Sequence, residues 1–209
     1  MKLYTYDPAP NPKRLGMFMA YKGIDIETVQ VDMMTQEQLG EAYLEVNPLG
    51  TVPALVLDDG TTLTEVIGCC NYLESLYPEK PLTGSTDLER AQVISWDHLL
   101  FVSVFMAVAE IFRNGNPNFT GRALPGALGI EQIPALVERG QRRLEAGWRT
   151  VDKRLGEADF LAGDNFSLAD IDLMILAEFA GWAAKSPVPE DCANILDWMP
   201  RAKAAFEGS

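Results

Sequence analysis

The chain has 209 residues, 47% hydrophobic and 22% charged, the proportions of a soluble globular protein with one large or two small domains. Asp and Glu number 30 against 17 Lys and Arg, a formal net charge of −13, which excludes nucleic acid and anionic lipid as partners because both demand clustered cations. The 3 cysteines and the single histidine, His98, exclude a disulfide framework and the ordinary zinc ligand sets, so no metal is expected.

No signal-peptide core precedes the first strand pattern, and the longest apolar run, Leu99 to Ala109, is short of a membrane span. A cytoplasmic protein with no membrane partner is the expectation. Lys2 to Tyr6, rich in aromatic and β-branched residues, reads as a strand. Asp7-Pro8-Ala9-Pro10-Asn11-Pro12 is a rigid turn, since its prolines cannot donate to a ladder. Leu15, Phe18, Met19 and Lys22 then recur at helical spacing, with Pro12 in the first turn and Gly23 as the stop. Glu27 to Val31 alternates as a second strand, and Gln36 to Val46 reads as a helix. Ala54 to Leu57 and Thr61 to Leu63 flank the hairpin turn Asp58-Asp59-Gly60. A helix opens at Thr64 or Glu65, carries Ile67, Cys70, Tyr72 and Leu73, and ends before Pro78. A βαβ unit, a helix and a ββα unit within about 80 residues make a thioredoxin-like arrangement.

Strand signals stop there. Residues 80–87 form a linker without periodicity, separating domain 1–79 from an all-helical domain 88–209. Leu88 to about Asn114 and Ile130 to Leu155 read as long amphipathic helices around a Gly/Pro/Asn loop. Ser167 with Asp170 three residues later forms a capping-box pattern that opens a helix from Leu168 to about Ala184, apolar all round and therefore buried. Trp198 to Phe206 is a terminal helix. The fold class is thus an α+β thioredoxin-like N-terminal domain (βαβαββα) followed by an all-α C-terminal domain.

The stretch richest in information is Asn47-Pro48-Leu49-Gly50-Thr51-Val52-Pro53. X-Pro is where a cis peptide costs least, and a cis Val52-Pro53 bond at the mouth of a strand would turn the chain and face the Val52 N–H and C=O outward, open to an extended peptide. The plainer alternative is a strand entered from a loop. This stretch resembles the N-P-x-G-x-V-P signature of the glutathione transferase family, and Phe166-Ser167-Leu168-Ala169-Asp170 resembles the capping motif of that family's helical domain. The resemblance covers nearly the whole chain.

It implies that glutathione is the substrate, bound by its cysteinyl backbone along Val52 and Pro53. Glu65 and Val66 would hold its γ-glutamyl end, although Val66 replaces a usual Ser and removes a hydroxyl donor. Gln38 would reach the glycyl end; an exposed helix glutamine is the alternative. Thiol–disulfide exchange by the protein's own sulfur is excluded at Ala9 to Pro12, where redox relatives carry Cys-Pro-x-Cys. The serine or cysteine of other transferase classes is also missing at Ala9. Asn11 remains as thiolate stabiliser, as in bacterial relatives with a Pro-Asn loop. Its amide can donate but cannot act as a base, and helix capping is the competing role. Thr5 and Tyr6 are rival donors. His98, Phe101, Phe105 and Arg113 lie on the long helix that lines the second-substrate pocket in the family. Cys69 and Cys70 read as inert core thiols. A homodimer conjugating a small hydrophobic electrophile, or reducing peroxides or disulfides with glutathione, is implied. A non-catalytic binding module is the alternative, motivated by Ala9 and Val66.

Overall fold

In the computed structural model, which describes residues 1–208, strand β1 (Lys2–Thr5) buries Leu3 and Thr5 on one face, the period-two pattern of a strand. Strand β2 (Glu27–Gln30) lies parallel to β1, with Lys2 opposite Glu27 and Thr5 opposite Gln30. Strand β3 (Ala54–Val56) is antiparallel to β1, and β4 (Thr62–Leu63) is antiparallel to β3. The sheet order is β2-β1-β3-β4. The parallel pair needs a crossover, which helix α1 (Pro10–Lys22) supplies; α3 (Val66–Leu76) packs beside α1. This is the thioredoxin-like arrangement expected from the element order.

Two local expectations change. Helix α1 begins at Pro10, because prolines fit a first turn whose N–H groups have no intrahelical acceptor. The helix expected over residues 36–46 is broken into a 3-10 turn, Glu37–Leu39, and a short α2, Glu41–Leu44. Gly40 sits between them with extended backbone (φ −74°, ψ 151°). Its N–H closes the turn on the Glu37 carbonyl and its own carbonyl accepts from Tyr43 and Leu44.

The chain divides into two units, residues 1–79 with Leu124–Gly129, and residues 80–123 with those from Ile130 onward. The second unit is helical. Helix α4 (Asp87–Leu100) continues through a π-helical stretch, Phe101–Phe105, into α5 (Met106–Gly115). By length and composition alone this 29-residue run could cross a membrane. Its buried residues Val93, Leu100, Val104, Ala107 and Val108 belong to the unit's core, where α4 meets α7 (Leu168–Ala183) and α5 meets α6 (Ala135–Leu155). Gly140 and Gly147 let α6 approach closely: a Cβ there would stand 2.8 Å from the Ala107 carbonyl oxygen and 3.0 Å from that of Ser103.

Helix α6 starts at Ala135 instead of Ile130, because Pro134 disfavours helical backbone at the residue before it. The terminal helix α8 (Ala193–Glu207) starts five residues earlier than its local pattern indicates. Asp152 of α6 accepts the Ile195 N–H at 3.1 Å and an Asn194 side-chain N–H at 3.1 Å, a tertiary cap invisible in the local sequence. The Ser167–Asp170 capping box is present. Asp170 is fully buried, accepting from Ser167 N and Oγ, Leu161 N and Trp198 Nε1 at 2.9–3.1 Å.

Candidate active site

The sheet register brings three chain segments to one end of the first unit. Tyr4 pairs with Ala54, so the C-terminal end of β1 lies beside the N-terminal end of β3. Leu55 pairs with Leu63 and β4 runs antiparallel to β3, so the C-terminal end of β4, three residues before α3, also lies at that end. Helix α1 begins five residues after β1 ends, and β2 runs parallel to β1 toward the same end. The α1 N-terminus, the Val52-Pro53 bend and the α3 N-terminus are therefore neighbours by construction.

The bend is braced from inside. Asn47 is buried, and its Nδ2 donates to the Thr51 carbonyl at 2.7 Å and to Thr51 Oγ1 at 3.1 Å, while its Oδ1 accepts from Leu49 N at 3.1 Å. The Tyr43 hydroxyl donates to the same Thr51 carbonyl at 2.6 Å. Burial pushes that phenol up to about 12, so it stays a donor. Gly50 has φ +62°, and a Cβ there would meet Leu39 Cδ2 at 2.9 Å and the Gln38 carbonyl at 3.2 Å. Only glycine fits without moving the turn that carries Gln38. Val52-Pro53 is cis. Val52 is buried among Val31, Tyr43, Tyr4 and Tyr6, but its backbone N–H and C=O have no hydrogen-bond partner among the described residues. An unpaired amide edge of this kind is a template for one more extended segment.

Asn11 is the second residue of α1; the N-cap is Ala9, which makes no side-chain cap bond. The capping role considered for Asn11 is thus not the one it plays. Its Oδ1 accepts from Arg14 Nη1 at 3.0 Å, which orients the amide so that Nδ2 remains the donor. No acidic residue occupies the first turn of α1 or of α3, which leaves the α1 N-terminus open to an anion, while at α3 the one carboxylate is that of the N-cap residue, Glu65. Of the rival donors, Thr5 is buried at the end of β1, and Tyr6 packs on the Val31–Tyr43–Val52 cluster.

Glu65 is exposed at the N-cap of α3 and holds φ 62°, ψ 126°. A non-glycine residue there costs about 1–3 kcal/mol and persists where surrounding structure or function requires it. Val66 is buried, so its side chain packs inward and only its backbone N–H faces the helix mouth. Gln38 is not the exposed glutamine of the alternative reading. It is buried, with Oε1 unpartnered. A buried amide oxygen without a donor costs about 1–3 kcal/mol, so the site is short of one N–H from outside.

The first unit matches the family model "Glutathione S-transferase, N-terminal domain" over residues 9–76, and residues 134–206 match "Glutathione S-transferase, C-terminal domain". A solved structure of a class Gtt2 glutathione S-transferase from Vibrio parahaemolyticus is 31% identical, with TM-score 0.82 over 99% of this chain and 96% of that one. The chain belongs to the glutathione S-transferase family. A glutathione S-transferase domain-containing protein from Marinobacter aquaeolei is 30% identical, with TM-score 0.87 and 98% of each chain covered. Glutathione S-transferase 2 of Saccharomyces cerevisiae is 29% identical over 207 residues, covering 96% of this chain and 84% of its own length.

Within that family frame, the sequence reading missed the roles of Asn47, Tyr43 and Arg14. The Asn-Pro start of the loop motif was a signal for Asn47. Nothing local marked Tyr43 or Arg14, whose contacts with Thr51 and Asn11 come from the fold. Cys69 and Cys70 are buried in α3, and burial pushes the Cys69 thiol up to about 11, so the core-thiol reading fits. Among the described residues no cluster of His, Cys, Asp or Glu is arranged to hold a metal.

Proposed function

We propose that this enzyme binds glutathione as an added edge strand on Val52 and presents its sulfur, as a thiolate, to the α1 N-terminus and Asn11. The carrying observation is the unpaired Val52 amide edge beside two helix N-termini that hold no first-turn acid. Glu65 would accept from the ligand's α-ammonium, and the Val66 N–H would donate to its α-carboxylate. Gln38 would satisfy its orphaned oxygen with a peptide N–H at the glycyl end.

The chemistry is nucleophilic. A free thiol titrates near ~8.5, and bringing it to ~6.5 takes about 2.7 kcal/mol of thiolate stabilisation at ~1.36 kcal/mol per unit. The Asn11 amide and the α1 N-terminus are donors suited to that task. The bound sulfur then attacks the carbon of a small apolar electrophile, forming the S–C bond as the leaving group departs with its electron pair. Peroxide or disulfide reduction would draw on the same thiolate. The Pro-Asn loop is the feature this reading shares with bacterial relatives, and a cytoplasmic homodimer is its setting by family likeness.

Calorimetric titration with glutathione, paired with thiolate absorbance against pH, tests the proposal. Wild-type protein should bind and depress the thiol pKa. Asn11→Ala should bind but raise the apparent pKa by about one to two units, the worth of one hydrogen bond to a charged group. Binding with an unperturbed thiol would make the chain a carrier, and no binding at millimolar glutathione would make it a fold without the activity.

A further inference from the structure

The loop between α5 and α6 sends a short excursion back to the first unit. Residues 124–129, Leu-Pro-Gly-Ala-Leu-Gly, pack with that unit, while the chain on either side belongs to the second. The ends of the excursion are held together, the Ala123 N–H donating to the Ile130 carbonyl at 2.8 Å. No residue from Ala123 to Ile130 carries a polar side chain, in a chain that is 22% charged. Leu124 and Leu128 are 46% and 64% exposed, so those side chains do little of the seating.

The seat is made by backbone. Gly126 has φ +86°, and a Cβ on it would stand 2.7 Å from the carbonyl oxygen of Leu49. That is well inside van der Waals contact, and the obstacle is main chain, which cannot rotate away as a side-chain tip can. Glycine is needed here for the left-handed φ and again for the close approach. Leu49 belongs to the turn that leads into Val52. Its own side chain is 56% exposed and holds the outer side of that turn weakly. Leu49 and Thr51 hang from one buried side chain: the Leu49 N–H donates to Asn47 Oδ1 at 3.1 Å, and Asn47 Nδ2 donates to the Thr51 carbonyl at 2.7 Å. A displacement of Leu49 is thereby passed to the residue before Val52.

We propose that residues 124–129 are a strap that clamps the turn at residues 47–50, and that Gly126 is a positioning residue for the glutathione edge on Val52. The clamp stands on the approach of Gly126 to Leu49; its effect on glutathione rests on the binding mode proposed above. Closure of the strap and binding of glutathione are then linked, each favouring the other by the same factor. Gly126 acts through Leu49 and Asn47 and not on the sulfur, so it governs affinity and leaves the thiol chemistry alone.

The test compares wild type with Gly126→Ala, Gly121→Ala and a variant whose residues 124–129 are replaced by Asn-Gly, a two-residue turn compatible with the Ala123–Ile130 closure. Gly121 is the control. It lies in the same loop with φ +72°, but the atom nearest a Cβ there is Glu131 Oε1 at 3.8 Å, so alanine brings the backbone strain without the collision. Without ligand, hydrogen exchange at the Leu49 and Gly50 amides should quicken about tenfold or more in Gly126→Ala and in the shortened variant, and stay within about twofold of wild type in Gly121→Ala. Calorimetry should show glutathione bound about tenfold more weakly by the first two, with the thiol pKa at saturation as in wild type. Saturating glutathione should in turn slow exchange over residues 124–129 of wild type, the reciprocal effect that a purely structural strap would not show. Unchanged exchange at Leu49 and Gly50 would remove the clamp. Faster exchange with normal glutathione affinity would overturn the positioning role. Equal effects in Gly121→Ala would assign the loss to strain within the loop, and a changed oligomeric state in Gly126→Ala would assign the strap to a second copy; either overturns the proposal. Wild-type protein that binds no glutathione, while the two amides still respond to Gly126→Ala, would refute the binding mode and keep the clamp.

Discussion

Asn47 Nδ2 lies 2.7 Å from the carbonyl oxygen of Thr51, and that buried bond ties the start of the loop to the residue before Val52. With the Leu49 N–H and Thr51 Oγ1 also on this side chain, Asn47 replaces backbone pairing that a proline-bearing loop cannot supply. Asn47→Ala should therefore cost about 2–4 kcal/mol, two or three lost hydrogen bonds with buried partners left unmet. It should also weaken glutathione binding, because the Val52 edge loses its brace. Urea denaturation measures the first effect; a variant within 0.5 kcal/mol of wild type would contradict the bracing role.

Glu65 carries backbone strain at the α3 N-cap. Glu65→Gly should relieve it, offsetting the added freedom of the unfolded chain, so that stability stays level or rises by up to about 1 kcal/mol. Glutathione affinity should nevertheless fall tenfold or more, as a carboxylate partner of the ligand's ammonium is gone. Calorimetry and thermal melts on one variant separate the two. A glycine variant that binds normally would remove Glu65 from the site.

The thiols make a simple check on where the reactive sulfur comes from. Cys69, Cys70 and Cys192 are buried, and burial is the leading cause raising the Cys69 and Cys192 thiols above the ordinary range. Native protein at pH 8 should react with an aromatic disulfide reagent far more slowly than free cysteine, and all three thiols should react in urea. One fast thiol in the native state would reopen a role for the protein's own sulfur.

Asp170 predicts a pH dependence of stability. Burial raises its carboxyl from 3.8 to about 6, against the four hydrogen bonds that hold the charged form down. The folded state then binds this proton more tightly than the unfolded state. Its contribution is full below pH 4 and is lost as pH rises through about 6, a change on the order of 3 kcal/mol. Urea midpoints of wild type and Asp170→Asn, measured from pH 4 to 7.5, should converge or cross in that direction as pH rises, on top of the variant's lost acceptor. Parallel curves would refute the shift.

Local chemistry decided much of this protein. Gly23 stopping α1, the Asp58-Asp59-Gly60 hairpin, the Ser167–Asp170 cap and the Asn47–Pro53 motif each act through the backbone preferences of a few adjacent residues, so they are legible in order along the chain. From them follow the element order, the two-part organisation and the family. What waited for the tertiary structure depends on atoms far apart in sequence: Asp152 capping a helix 42 residues later, the sheet register that sets Leu63 against Leu55 and so turns the start of α3 toward the Val52-Pro53 end, and Gly126 closing on the Leu49 carbonyl. Periodicity records which face of an element is apolar, but not which partner will meet it. The orphaned oxygen of Gln38 arises only when the packed chain has excluded water from it.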